Sequence, residues 1–297
     1  MMKMIKVENL IKSYGKNEVL KGISFSVSKN EIFGLLGPNG AGKTTTMECM
    51  EGLRGFNSGN ISIMGLNPDE AAKQKLIGIQ LQSSSLPSNI SVKDAMDLFC
   101  VWNNADSRYD LLEKFGLKNM SKKQYKTMST GQKRRLHLAL ALACEPRIIF
   151  LDEPTAGLDV EARVALHQEI KNLKKKGATI LLASHDMAEV EALCDRVAII
   201  VNGKIKKIGS PSEIVSDVRR ETLIKIKLSV MLKDLKLDQI ELKDFKEGYY
   251  HFSTTNLLDG LSELLSCLKE DEIEILDLTV DKPTLEERFI EIAREGK

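Results

Sequence analysis

The apolar residues of the chain fall into patterns with different meanings. Ile32-Phe-Gly-Leu-Leu36, Ile148-Ile-Phe-Leu151 and Thr179-Ile-Leu-Leu-Ala183 are continuous runs, the pattern of strands buried on both faces of a parallel sheet. Ala162 to Lys175 has helical composition, so the stretch from 148 to 183 predicts a strand-helix-strand crossover. Apolar runs from Ile5 to Val27, broken at Tyr14-Gly-Lys-Asn17, predict strands joined by a turn. Ile61-Ser-Ile63, bracketed by glycines, predicts another strand, and much of Val92 to Phe115 reads as helix. The pattern changes after Gly209-Ser-Pro-Ser212. A short helix is expected from Glu213, then period-two alternation over Leu223–Leu228, helical spacing over Leu257–Leu268, a strand over Ile273–Val280 and a helix over Leu285–Ala293. The expected organisation is an α/β domain over residues 1–220 followed by a small α+β domain over 221–297.

Between the first buried strand and a helical stretch lies Gly37-Pro-Asn-Gly-Ala-Gly-Lys-Thr-Thr45. Its Gly37, Gly42, Lys43 and Thr44 fit P-loop spacing. Without Cβ atoms, Gly37, Gly40 and Gly42 let the backbone curl until several N–H groups face one hollow, where phosphate oxygens can bind. The helix that follows adds the positive end of its dipole. Lys43 supplies a point charge for the outer phosphates, and the Thr44 hydroxyl suits magnesium.

A P-loop needs an acid for magnesium, and Asp152, closing the run Ile148–Leu151, is placed for that. Its neighbour Glu153 is a candidate to polarise an attacking water, although Asp-Glu-Pro also reads as a strand terminus with two solvated acids. His185 follows the third buried run. In open α/β sheets ligands bind beyond the carboxyl ends of the strands, which is where the P-loop, Asp152, Glu153 and His185 all emerge.

Composition narrows the partners. A net charge of +1, with 29% charged and 42% hydrophobic residues, gives no basic footprint for nucleic acid. Lys133, Arg134 and Arg135 read as a solvated helix face. No apolar run approaches the ~18 residues needed to span a bilayer, and the start lacks a signal-peptide core, so a cytoplasmic location is expected. The five cysteines are scattered without a Cys-x-x-Cys pair, and the four histidines show no metal spacing.

The ordered set of motifs resembles the ATP-binding subunit of an ABC transporter over about the first 220 residues. After the P-loop come Gln82, Met128-Ser-Thr-Gly-Gln132, Ile148 to Glu153, Ala156-Gly-Leu-Asp159 and His185. The resemblance implies a P-loop ABC ATPase fold, a mixed sheet core with a helical subdomain near residues 84–145. It implies that Tyr14 stacks on adenine, that Asn39 and Thr45 belong to the nucleotide-binding loop, and that Gln82 reaches the magnesium and the attacking water, with Gln80 as a rival. Glu153, His185 and Gln82 would be catalytic; Thr44, Gln82 and Asp152 would face Mg2+. Ser129, Gly131 and Gln132 would meet the γ phosphate held by a second ATP-binding subunit, with Asp159 coupling the two sites. The helix behind this signature is expected from about Gln132. Thr130 stands where the usual pattern has glycine, which raises the prospect of a strained backbone or a crowded phosphate there. Lys282-Pro-Thr-Leu-Glu-Glu-Arg-Phe289 resembles the closing motif of ABC-2 type exporter ATPases, the group that includes drug and antibiotic efflux pumps. The implied partner is a separately encoded membrane permease that holds this subunit on the inner face of the membrane. Two rival classes are a soluble ABC ATPase acting on ribosomes or DNA, and a regulatory subunit that binds ATP without hydrolysing it.

Overall fold

A computed structural model describes residues 2–80, 85–216, 222–232, 237–281 and 284–294. In chain order its first part runs β1 (Lys3–Tyr14), β2 (Asn17–Ser28), β3 (Ile32–Leu36), α1 (Lys43–Met50), β4 (Ser58–Ile63), α2 (Pro68–Lys73), β5 (Ile77–Gln80), α3 (Val92–Trp102), α4 (Tyr109–Lys114), α5 (Thr130–Ala141), β6 (Ile148–Asp152), α6 (Val160–Lys175), β7 (Thr179–Ser184), α7 (Met187–Leu193), β8 (Arg196–Val201) and β9 (Lys204–Gly209). The remainder is α8 (Pro211–Ser216), β10 (Thr222–Leu228), β11 (Glu241–Lys246), β12 (Tyr249–Thr254), α9 (Leu257–Glu270), β13 (Ile275–Asp281) and α10 (Leu285–Arg294).

The three continuous apolar runs become β3, β6 and β7, every residue of which is buried. They lie side by side in a six-stranded sheet of order β5-β6-β7-β3-β8-β9, parallel except for β9. A separate antiparallel sheet, β2-β1-β4, carries the first hairpin. One apolar core joins the two sheets through Ile5, Val7, Leu20 and Ile23, helix α1 through Met47 and Met50, and the six-stranded sheet through Phe33, Phe150 and Leu181.

The crossover helix α6 starts on the side chain of Asp159, which accepts the N–H of Ala162 at 2.8 Å, and it buries Leu166, Ile170 and Leu173. That spacing is one helical face, worth about 1.5–3 kcal/mol per fully buried side chain. α5 packs close on β5. A Cβ on Gly78 would sit 2.3 Å from the carbonyl oxygen of Ala141, so glycine is required by approach alone.

The chain divides into two compact units, Met1–Pro211 with Ile292–Lys297, and Ser212–Glu291. The second holds a four-stranded antiparallel sheet, β11-β12-β10-β13, with its own core of Ile224, Ile226, Tyr250 and Phe252 against Leu264 and Leu268 of α9. Within the described residues no helix is long and apolar enough to cross a membrane.

Candidate active site

β3, β6 and β7 are adjacent and parallel, so the segments leaving their carboxyl ends emerge as neighbours. The loop after β3 turns into α1 through Gly42, whose φ of 104° lies in the left-handed region and whose added Cβ would meet Leu20 at 2.6 Å. No side chain caps α1. Its first N–H groups therefore keep their capacity to bind an anion. Pro38, Asn39 and Gly40 are exposed at the rim, with Thr44 exposed and Thr45 half-buried on the first turn. The Lys43 ammonium lies back along the loop, donating to the carbonyl oxygens of Gly37 at 2.7 Å and Pro38 at 3.3 Å. Burial lowers its pKa, and the nearby charges of Glu153 and Asp152 oppose that shift.

Asp152 closes β6. Its carboxyl is pushed up by burial, while a hydrogen bond from the Thr44 hydroxyl and the charge of Lys43 pull the other way and Glu153 adds to the rise. Its Oδ1 is buried without a hydrogen-bond partner. Glu153 takes a φ of 49°, which for a residue with a Cβ costs on the order of 1–3 kcal/mol. The turn sends its N–H to the carbonyl of Ala183 on β7 at 2.9 Å, and its Oε1 lies 2.8 Å from Nδ1 of His185. His185 follows β7 directly and is half-exposed; Asp186 beside it caps α7 by accepting the N–H of Glu189. A carboxylate held by a histidine next to a buried acid and a lysine is an arrangement suited to polarising water beside a phosphate.

Tyr14 ends β1 as an exposed residue, its ring flanked by Lys12 Nζ at 5.1 Å and Arg54 Cζ at 5.4 Å. Gln82 lies outside the described residues. Its rival Gln80 closes β5, buried, with neither amide atom bonded.

The signature residues lie on α5. Ser129 caps this helix in a capping box with Gln132: Ser129 Oγ accepts the N–H of Gln132 at 3.3 Å, and Gln132 Oε1 accepts the N–H of Ser129 at 3.1 Å. The helix therefore begins at Thr130, two residues earlier than its composition indicated. Thr130 takes the first helical position and is absent from the described residues with positive φ. The strain its side chain raised as a prospect does not arise. A cleft of about 510 Å³ is lined by Ser129, Thr130, Gly131, Gly157, Asp159 and Ala162, among others. The signature and Asp159 thus share one surface.

Glu51, Tyr125 and His137 carry no motif and were not singled out by sequence. Glu51, just past α1, is buried with both carboxylate oxygens unbonded, and its pKa is raised to about 8 by burial first, then by the charges of Asp152 and Glu48. The available signal was an acid between Met50 and Gly52 at the end of an apolar helix face.

Residues 20–156 match the family model described as ABC transporter. The linearmycin resistance ATP-binding protein LnrL of Bacillus subtilis (strain 168) is 33% identical over 97% of this chain and 98% of its own length. The daunorubicin resistance ATP-binding protein DrrA3 of Streptomyces coeruleorubidus is 28% identical over 99% and 96%. A solved ATP-binding subunit of an ABC transporter superposes with a TM-score of 0.66 at 29% identity, covering 72% of this chain and 92% of that one. The chain belongs to the ABC transporter family, as an ATP-binding, ATP-hydrolysing subunit grouped with those of drug-resistance and export systems.

Proposed function

We propose that two such subunits close around two Mg-ATP molecules and reopen after hydrolysis, driving export through a separate membrane permease. The observation that carries the reading is the contact of Glu153 with His185 at the ends of adjacent strands, beside the P-loop lysine. The amides of Gly40, Gly42 and the first turn of α1 would bind phosphates, with Lys43 exchanging its carbonyl partners for phosphate oxygens. The residues fit a divalent cation: the Thr44 hydroxyl bonds to the Asp152 carboxylate, whose Oδ1 is buried and unbonded. Thr44 and Asp152 would hold Mg2+, with Gln82 as a further ligand; bound there, it neutralises charge on the phosphates. Glu153 would take the proton of the attacking water, and His185 would orient that carboxylate and the γ phosphate. Ser129, Gly131 and Gln132 would face the γ phosphate on the second subunit, with Asp159 linking the two sites. Coverage of nearly the whole chain by LnrL and DrrA3, both drug-resistance subunits, supports the export direction and extends to the second compact unit, proposed as an accessory domain.

The test is Glu153→Gln. The variant should bind ATP, lose steady-state hydrolysis by on the order of 10²–10⁴, and accumulate as an ATP-dependent dimer in light scattering. An unchanged rate would remove Glu153 from the mechanism. Recovery of the native chain from gently solubilised membranes without a polytopic partner, or with ribosomes or DNA, would overturn the transporter assignment.

A further inference from the structure

The segment ahead of the signature is laced to the segment that follows residues 81–84. Lys126 N–H donates to Ser88 O at 3.0 Å, Tyr125 N–H to Ile90 O at 2.9 Å, Val92 N–H to Lys123 O at 3.1 Å and Lys93 N–H to Ser121 O at 2.9 Å. An isolated antiparallel bridge pairs Ser91 with Gln124, and Lys126 Nζ reaches Asn89 Oδ1 at 2.9 Å. The two segments are thereby tied into one ribbon.

Tyr125 turns that ribbon toward the signature helix. Its ring is buried, with Lys133 Nζ 4.8 Å from the centroid, and it meets the buried His137 edge-to-face at 5.7 Å and 87°. The hydroxyl lies 2.9 Å from His137 Nε2 and takes a hydrogen bond from the backbone N–H of Leu86. Burial, and then the charges of Arg134 and Lys133, push the imidazole down to about 4. It is neutral at working pH, so the ring keeps one donor and one acceptor nitrogen, and its tautomer sets which partner donates in the bond to Tyr125. His137 stands eight residues beyond Ser129 on the same rigid helix, about 12 Å along its axis. One oxygen thus joins the loop at Leu86 to α5, and Tyr125 O also receives the N–H of Met128, one residue before Ser129.

We infer that the Tyr125 hydroxyl, through His137 and Leu86, is a positioning group that fixes Ser129 and Gly131 relative to residues 85–90, so that a displacement of that loop is passed to the signature. The inference rests on the proposed reading in which the signature meets the nucleotide of a second subunit. Neither Tyr125 nor His137 would touch ATP. A defect in them should spare nucleotide binding to the subunit's own P-loop and fall on the step that needs two subunits.

The experiment measures, on the full chain, affinity for a fluorescent ATP analogue, kcat and KM for hydrolysis, the melting temperature, and ATP-driven dimerisation in a Glu153→Gln background. Tyr125→Phe should lower kcat about threefold to tenfold, the effect of one lost hydrogen bond, and weaken dimerisation by a similar factor with analogue affinity unchanged. His137→Gln, which keeps an acceptor, should retain near-normal kcat. His137→Leu should match Tyr125→Phe, and the double variant should be no worse than either. A wild-type kcat for Tyr125→Phe overturns the inference. So does a parallel fall in analogue affinity and melting temperature, which would mark a merely structural pair. If the Glu153→Gln parent itself fails to dimerise on ATP, the two-subunit reading falls, while the Tyr125→Phe kcat still decides whether the hydroxyl matters to hydrolysis.

Discussion

Replacing Glu51 by glutamine should make this protein more stable in mild alkali. The carboxyl is 2% exposed with both oxygens unbonded, and its pKa is raised to about 8 from an ordinary value near 4.5. The unfolded chain ionises it above about pH 4.5, whereas the folded chain keeps the proton until about pH 8. Between those values the unfolded state binds fewer protons, so stability falls as pH rises, by about 1.36 kcal/mol per pH unit. Across roughly 3.5 units the total is about 5 kcal/mol, complete above pH 8 and absent below pH 4.5. Glutamine has nearly the same shape and does not titrate. The wild type should lose about 3 kcal/mol relative to Glu51→Gln between pH 6 and pH 8. Urea unfolding at the two pH values, followed by far-UV circular dichroism, measures that difference. Taking wild type against variant cancels the titrating groups that do not interact with Glu51, leaving its own titration and its coupling to Asp152 and Glu48. Equal shifts of the two midpoints would show that the carboxyl is solvated or paired in solution, and the argument from burial would fail.

Tyr14→Ala should raise the KM for ATP about fivefold to tenfold with little change in kcat, and Tyr14→Trp should restore it, because stacking asks only for an aromatic face; steady-state kinetics decides. Gly78→Ala drives a methyl against the Ala141 carbonyl and should lower the melting temperature by about 10 °C, as expected for ~3 kcal/mol of overpacking in a unit of this size. A melting temperature within 2 °C of wild type would mean that α5 yields easily at this point.

The elements legible in the sequence are those whose signal is local. Buried parallel strands leave unbroken apolar runs, so β3, β6 and β7 could be read directly, and with them the residues at their carboxyl ends. β11 could not: all six of its positions from Glu241 to Lys246 are exposed on an edge strand, so composition carries no alternation to detect. The start of α5 was misplaced because a capping box spends Ser129 and Gln132 on the first turn, which hides the helix behind polar residues. Glu153 was recognisable as an acid beside an acid, yet its left-handed backbone, which aims it at His185, depends on tertiary bonding to Ala183 on β7. Tyr125 and His137 lie twelve residues apart, and Glu51 owes its character to neighbours on other elements; a one-dimensional pattern records neither.

Tyr14 belongs to the three-stranded sheet and the phosphate-facing residues to the six-stranded one. On the proposed reading the two ends of a nucleotide are gripped by separate pieces of architecture, and the base end by a flat ring with two cations nearby. A stacking platform of this kind has little means of distinguishing one heterocycle from another. The subunit should therefore accept GTP or CTP as fuel with modest penalties in affinity, and its economy in the cell would follow the abundance of nucleoside triphosphates more than their identity.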